Sequence, residues 1–389
     1  MTEAPPSAIG AETANLSGHR ALLMDSVADF VRRGTGTARA RALRGTPGEY
    51  DREVWRKMAE LGWLGILVPE QYGGLGLGLA EMAIVAGGLA RVLAPEPLTA
   101  AAVLAGGVLV GGDNEVLKGD LLRKVVSGDV LPVMAWQEDA GALKVTEIKT
   151  RAAPFEGGFR LNGEKRFVGG AAGADGFAVS ARTQDGIEVF WVERGAPGVD
   201  VELEQLADGR HFGVLRLADA IVAKDRIIAS ACSACATLEK AFDHAAVIVA
   251  AELHGVMSRA LEMSLDYMKT RVQFGKPIGS FQALQHRAVD LYIQQQLSSA
   301  VLDEVLRALD RNPDARTRAS LASRAKARCS ESALRITREA IQIHGAIGFT
   351  DEYDAGLYLK RALVLAAWLG SATAHRRRYA ELTAGYARE

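Results

Sequence analysis

Cysteine is scarce in this chain: Cys232, Cys235 and Cys329 are the three among 389 residues. So small and odd a count excludes a disulfide-stapled scaffold and suits a reducing, cytoplasmic setting. Long hydrophobic runs are missing too. No stretch approaches the roughly 20 apolar residues that a membrane span needs. Charge of one sign is also lacking: 46 Lys and Arg stand against 47 Asp and Glu, a net charge of −1. Such a balance argues against nucleic acid or a membrane surface as partner. The opening, Met1 to His19, has neither the basic start nor the apolar core of a secretory signal. Residues 1–20 read as a flexible lead-in.

What is present is ordinary globular text, 49% apolar and 24% charged, long enough for two or three domains. Leu22, Leu23, Val27, Phe30 and Val31 recur at helix spacing, followed by Val54, Trp55, Met58, Leu61 and Trp63. A glycine-rich loop, Pro69 to Gly76, interrupts, and helical text resumes over Glu81–Val92 until Pro95 and Pro97. Near Leu131 the period changes. Phe159–Gly163, Phe177–Ser180, Glu188–Val192 and Val199–Leu203 read as short strands of a barrel or sandwich. From Leu238 helices return: one through Met268, one over Phe281–Leu309, one over Arg316–Ile343. The bases within Arg316–Arg338 read as a solvated helix face. The domains are therefore placed at 21–126 (helical), 127–232 (β) and 233–389 (helical bundle).

Cys232 and Cys235 form a C-x-x-C, the spacing of a redox pair or half a zinc site. No second Cys/His pair stands at ligand spacing, so they are read as small fillers near a helix start, and no metal is expected.

Two segments are unlike helix text. Arg271-Val-Gln273-Phe274-Gly275-Lys276-Pro277-Ile278 joins two helices and offers a guanidinium, an amide, an aromatic face and a flexible backbone. Those parts suit the pyrophosphate and adenine of a dinucleotide, or simply a helix–helix turn with a cap. Gln342-Ile343-His344-Gly345-Ala346-Ile347-Gly348 ends a helix with glycines that admit close approach, or that merely cap it.

In this helix–β–helix order, both segments resemble the acyl-CoA dehydrogenase family. So do Trp55…Leu61-Gly62…Pro69-Glu70-Gln71-Tyr72-Gly73-Gly74 and Gly157-Gly158-Phe159-Arg160-Leu161-Asn162-Gly163-Glu164-Lys165. The likeness covers Ala21 to Tyr379. It implies an α+β multidomain fold with an N-terminal helical domain, a middle β-barrel and a C-terminal four-helix bundle. It also implies FAD at a subunit interface, an acyl-CoA substrate and an electron-transfer flavoprotein-type acceptor. In the family one subunit holds the flavin ring and its neighbour grips the adenine and pyrophosphate. The neighbour's share matches Arg271, Gln273, Phe274, Phe281, Leu284, Gln342, Ile343, Gly345 and Ala346, where Ala346 replaces a glycine.

The rest departs from the family pattern. The usual catalytic Glu is Leu369, and the alternative Glu on the long helix is Ala245, followed by Ala246 in place of Arg. Neither can take the α-proton that must leave as hydride moves to the flavin. The hydroxyl that meets the FAD phosphate is replaced by Leu143, in Gln137-Glu138-Asp139-Ala140-Gly141-Ala142-Leu143-Lys144. The ring-lining Trp-Ile-Thr is Phe167-Val168-Gly169. Asp243, His244 and Glu252 read as surface or interface residues. The resemblance therefore implies a base-lacking subunit of a heteromeric enzyme, such as a heterotetramer, whose partner supplies the Glu. Heteromeric members of this kind act on steroid side-chain thioesters. Two alternatives stand beside it: a self-sufficient homo-oligomer with a relocated base, and the fold turned to a non-redox or binding role.

Overall fold

The computed structural model describes residues 8–34, 36–46, 50–141 and 143–384, with side chains described from Gly18 onward. Six helices come first: α1 (Ala8–Arg33), α2 (Thr37–Leu43), α3 (Arg52–Glu60), α4 (Leu79–Ala90), α5 (Gly106–Gly111) and α6 (Glu115–Val126). α1 begins inside the segment read as a lead-in, of which residues 1–7 lie outside the described residues. Arg20 anchors it across the domain, with Nε donating to Glu81 at 2.6 Å. Side-chain caps start the next helices: Asp51 accepts from the Glu53 N–H at 2.8 Å, and Asn114 from the Leu117 N–H at 3.1 Å. Trp55, Met58 and Trp63, the apolar positions of the sequence pattern, are fully buried. Truncating such aromatics typically costs about 3–5 kcal/mol. Between α4 and α5 runs a π-helical turn, Thr99–Ala105, with every residue buried.

An eight-stranded sheet follows: β1 (Pro132–Ala135), β2 (Arg151–Phe155), β3 (Gly158–Gly169), β4 (Gly176–Arg182), β5 (Ile187–Glu193), β6 (Val199–Gln205), β7 (His211–Ala223) and β8 (Ile227–Ala229). Their order is β6-β7-β3-β2-β4-β5-β8, with β1 parallel to β4. β3 shifts register against β7 twice, between Leu161 and Gly163 and between Lys165 and Val168. Such bulges bend a strand, and this one delivers Gly169 to the sheet's end facing the helices.

The C-terminal helices are α7 (Ala234–Thr270), α8 (Gln282–Leu309), α9 (Ala315–His344), the short α10 (Ala346–Phe349), α11 (Ala355–Ala367) and α12 (Ala372–Thr383). α7, α8, α11 and α12 pack around α9. Between α7 and α8 the strands β9 (Val272–Gln273) and β10 (Lys276–Pro277) form a small hairpin. The reading of Arg316–Arg338 as a solvated face is corrected here. Lys326 is fully buried, and Arg318 reaches into the bundle to the buried Asp243 at 3.1 Å.

Candidate functional site

The hairpin after α7 presents the first segment. Its two tip residues both have positive φ, 52° at Phe274 and 80° at Gly275. That is the type I′ geometry of two-residue hairpins, which a bulky aromatic adopts only under strain. The turn thrusts Phe274 out, 92% exposed, with its ring edge-on to Phe281 at 6.2 Å. Arg271 closes α7 through its backbone: its N–H donates to the Tyr267 carbonyl and its carbonyl accepts from Ile278, both at 2.8 Å. The guanidinium itself is exposed and has no partner among the described residues. Gln273 turns back, its Nε2 donating to the Val272 carbonyl at 2.8 Å.

The second segment lies beside it. His344 packs at 4.5 Å against Tyr267 with the rings tilted by 34°, one turn before Arg271, and its ring nitrogens reach the Ala340 carbonyl at 2.7 Å and the Tyr353 hydroxyl at 3.0 Å. This link brings Gln342 and Ala346, both exposed, to the same end of the bundle as Arg271. Gly345 has φ 62°, and a Cβ there would meet nothing within 4 Å. Phe281 and Leu284 are half-buried. Ile343 is buried, so its side chain belongs to the core.

The altered positions also come together, but in the interior. Gly169 ends β3 against Trp368: a Cβ there would stand 3.1 Å from the indole and 3.4 Å from Phe212. Leu143 lies directly on Gly370, where any Cβ would collide with it. Between them Leu369 is buried and held at φ 55°. Two buried bases fix this loop. Lys326 donates from Nζ to the carbonyls of Gly370 at 2.9 Å and Ala366 at 3.2 Å, and burial lowers its pKa to about 7. His375, brought down to about 3 by burial and then by Lys326, bonds through Nε2 to the Leu369 carbonyl at 2.8 Å. A neutral ring with that partner carries its proton on Nε2 and leaves Nδ1 to accept from Ser323.

What remains open beside this loop is a cavity of about 50 Å³. Gly169, Phe212, Trp368, Thr99, Glu252 and Arg361 are among its lining residues. Space of that size holds a few waters. Glu252 follows Ala245 by seven residues on α7 and so lies within about 20° of the same face. The reading of Glu252 as a surface or interface residue is corrected: it faces inward, accepting from Thr99 Oγ1 at 2.6 Å and from Arg361 Nη2 at 2.9 Å. Arg361 in turn reaches Asp208 at 3.1 Å. Asp243 is likewise internal, 1% exposed between Arg318 at 3.1 Å and Arg378 at 2.7 Å. Burial raises its carboxyl despite both guanidiniums. His244 is half-buried, and burial, then Lys240 and Arg318, brings it down to about 3. Ala245 and Ala246 are fully buried. Sequence reasoning missed Arg361, Trp368 and Lys326, and no local spacing marks them.

Cys232 and Cys235 are exposed, which corrects their reading as packed fillers, and Cys329 is buried. Among the described residues no group of three or more His, Cys, Asp or Glu could hold a metal ion.

Three family models match the chain in order: the acyl-CoA dehydrogenase N-terminal domain over residues 17–129, the middle domain over 133–216 and the C-terminal domain over 235–383. Acyl-CoA dehydrogenase FadE27 of Mycobacterium tuberculosis is 31% identical over 373 residues, covering 92% of this chain and 94% of that protein. Mitochondrial isovaleryl-CoA dehydrogenase of Solanum tuberosum is 29% identical over 365 residues, 91% and 87% of the two chains. Among solved structures, a chain of the ChsE4-ChsE5 complex from Mycobacterium tuberculosis superposes with a TM-score of 0.85 at 29% identity, covering 94% of this chain and 97% of that one.

Proposed function

The chain belongs to the acyl-CoA dehydrogenase family, and we propose that it is the base-lacking member of a hetero-oligomer, completing the FAD site of a catalytic partner chain. One asymmetry carries this reading. The outer residues are free to receive a ligand, whereas the inner seat is closed.

At the outer end the residues fit the cofactor. Arg271 offers an unpaired planar fork for a pyrophosphate. Phe274 offers a ring face to an adenine, Phe281 carries the Lys276 ammonium 4.5 Å over its ring beside it, and Gln342 with the open backbone at Gly345 offers hydrogen bonds. Gln273, Leu284 and Ala346 flank them, and Ile343 contributes backbone alone. At the inner end the residues do not fit. Trp368 covers Gly169, Leu143 covers Gly370, and about 50 Å³ compares with the roughly 300–1,000 Å³ of ordinary ligand pockets. This chain therefore seats no flavin ring of its own.

FAD on the partner would supply the acceptor for hydride from the acyl-CoA, with electrons passing to an electron-transfer flavoprotein-type acceptor. This chain's part is to bind and orient the far end of that cofactor. It leaves the proton to the partner, since Leu369 and Ala245 have no group that titrates. An exposed apolar stripe on α8 (Val289, Tyr292, Ile293 and Leu297) supports burial of this side against another chain. So does the likeness to a two-component complex. No helix among the described residues is long and apolar enough to cross a membrane, and a cytoplasmic heterotetramer is the setting proposed.

A second reading rests on Glu252, which shares the face of Ala245 and lines the inner cavity. For it to act as base, the Arg361 and Thr99 contacts must open and the cavity must enlarge. Purifying the chain alone and with its partner tests the choice. The proposed role expects a colourless chain that reduces no dye with acyl-CoA, and a yellow, active complex. A yellow chain active alone selects the second reading.

A further inference from the structure

The role above makes no use of Cys232 and Cys235, and their surroundings are not those of packing residues. Both are exposed, while Ala234, Thr237 and Leu238 of the same turn are buried. The chain leaves β8 here and winds into α7. The N–H groups of Ser233 and Ala234 both reach the Ser230 carbonyl, at 3.0 and 2.9 Å, and the Thr237 N–H reaches the Ser233 carbonyl at 3.0 Å. Ser233 has φ −112° and ψ −23°, and Ala234 is the first residue of the helix. With both central residues helical, the Cα atoms of Cys232 and Cys235 stand about 5 Å apart. Disulfides bridge Cα separations of roughly 4.4–6.8 Å.

The turn is braced from outside the pair. The Asp113 carboxylate accepts from the Ser230 N–H at 3.1 Å, the Ser233 hydroxyl at 2.9 Å and the Ser230 hydroxyl. The spacing of the two thiols is thus set by backbone and a carboxylate cap, with no packing to bury them. The described residues add no further ligands that would make the pair a zinc site.

We propose that Cys232 and Cys235 form a thiol–disulfide exchange site, passing between dithiol and disulfide across the first turn of α7 with small-molecule disulfides of the glutathione type. One thiolate attacks an external disulfide R–S–S–R, forming a mixed disulfide and releasing RS⁻. The second thiolate attacks the protein sulfur of that bond, closing Cys232–Cys235 and expelling the other RS⁻. The dithiol loses two protons and two electrons, and the external disulfide becomes two thiols.

Cys329 serves as an internal standard: it is fully buried, and burial pushes its thiol up to about 12. The test treats the purified full-length chain with excess oxidised glutathione, then counts thiols before and after denaturation and measures intact mass. Two exposed cysteines and one buried one predict two reactive thiols in the folded, reduced chain. After oxidation none should react in the folded state and one after unfolding, with the mass lowered by two hydrogens and the chain still monomeric under non-reducing denaturation. Cys235→Ser should stop at a single glutathionyl adduct. Wild-type chain that keeps both thiols, that accumulates glutathionyl adducts without closing, or that links only between chains overturns the proposal. None of these outcomes depends on whether the chain serves a flavin.

Discussion

Replacing Arg271 by alanine separates a cofactor grip from a structural cap. The guanidinium has no partner within the described chain, so its removal breaks no internal contact. Substitutions at such exposed positions usually change stability by less than about 0.5 kcal/mol. The helix end survives because its cap is made by the Arg271 backbone, which alanine retains. Contact with a phosphate is another matter. A charge-assisted hydrogen bond contributes roughly 1.5–3 kcal/mol, so flavin affinity of the complex should fall about ten- to a hundredfold. Arg271→Lys should recover part of it, because a point charge replaces the attraction but not the planar fork. Flavin content and melting temperature are read on the same mutant complex. Full flavin retention with a lowered melting temperature would show Arg271 to be a structural cap and no cofactor grip.

The isolated chain should oxidise no acyl-CoA in a dye-coupled assay; turnover on the order of 1–10³ s⁻¹, abolished by Glu252→Ala, would show the base to be Glu252. Asp243→Ala strands Arg318 and Arg378 around a buried site, and breaking such a pair costs about 3–5 kcal/mol; a melting temperature equal to that of the wild type would contradict it. Lys326 gives a pH dependence: burial holds its folded pKa at about 7, below the ordinary lysine value of 10.5. Between these values the unfolded chain binds the proton that the folded chain has released, so stability rises with pH. From pH 7 to pH 9 the gain from this group is about 2 kcal/mol, and Lys326→Met should flatten the rise seen in denaturant midpoints.

The long C-terminal helices were legible because one face of each is apolar at 3.6-residue spacing: α7 to α9 lie within a few residues of the expected spans. Strands were harder. β2 contains Pro154, and the alternation of β7 slips at Ala218–Asp219 and leaves the apolar Ile221 outside, so neither stands out as a short apolar run. α11 and α12 carry Asp354 and Ser371 at their N-caps, signals that went unread because the helices are short and follow closely on α9. The residues of the proposed outer site come from a contiguous hairpin and one helix end, which a short motif can carry. The interior was not legible, because its contacts join distant positions: Leu143 with Gly370, Gly169 with Trp368, and Glu252 with Arg361. Asp243 looked like one more helix-surface acid, for its two arginines stand 75 and 135 residues away. The exposure of the C-x-x-C pair likewise depends on which face of the first turn of α7 meets the domain.

In the proposed complex one chain of an unlike pair seats the flavin while this one grips it from outside. Flavin absorbance against protein mass on the purified native complex tests that directly. One FAD for each pair of unlike chains is the expected result; one FAD for every chain would overturn the shared site, because the seat closed by Trp368 and Leu143 would then have to open and bind.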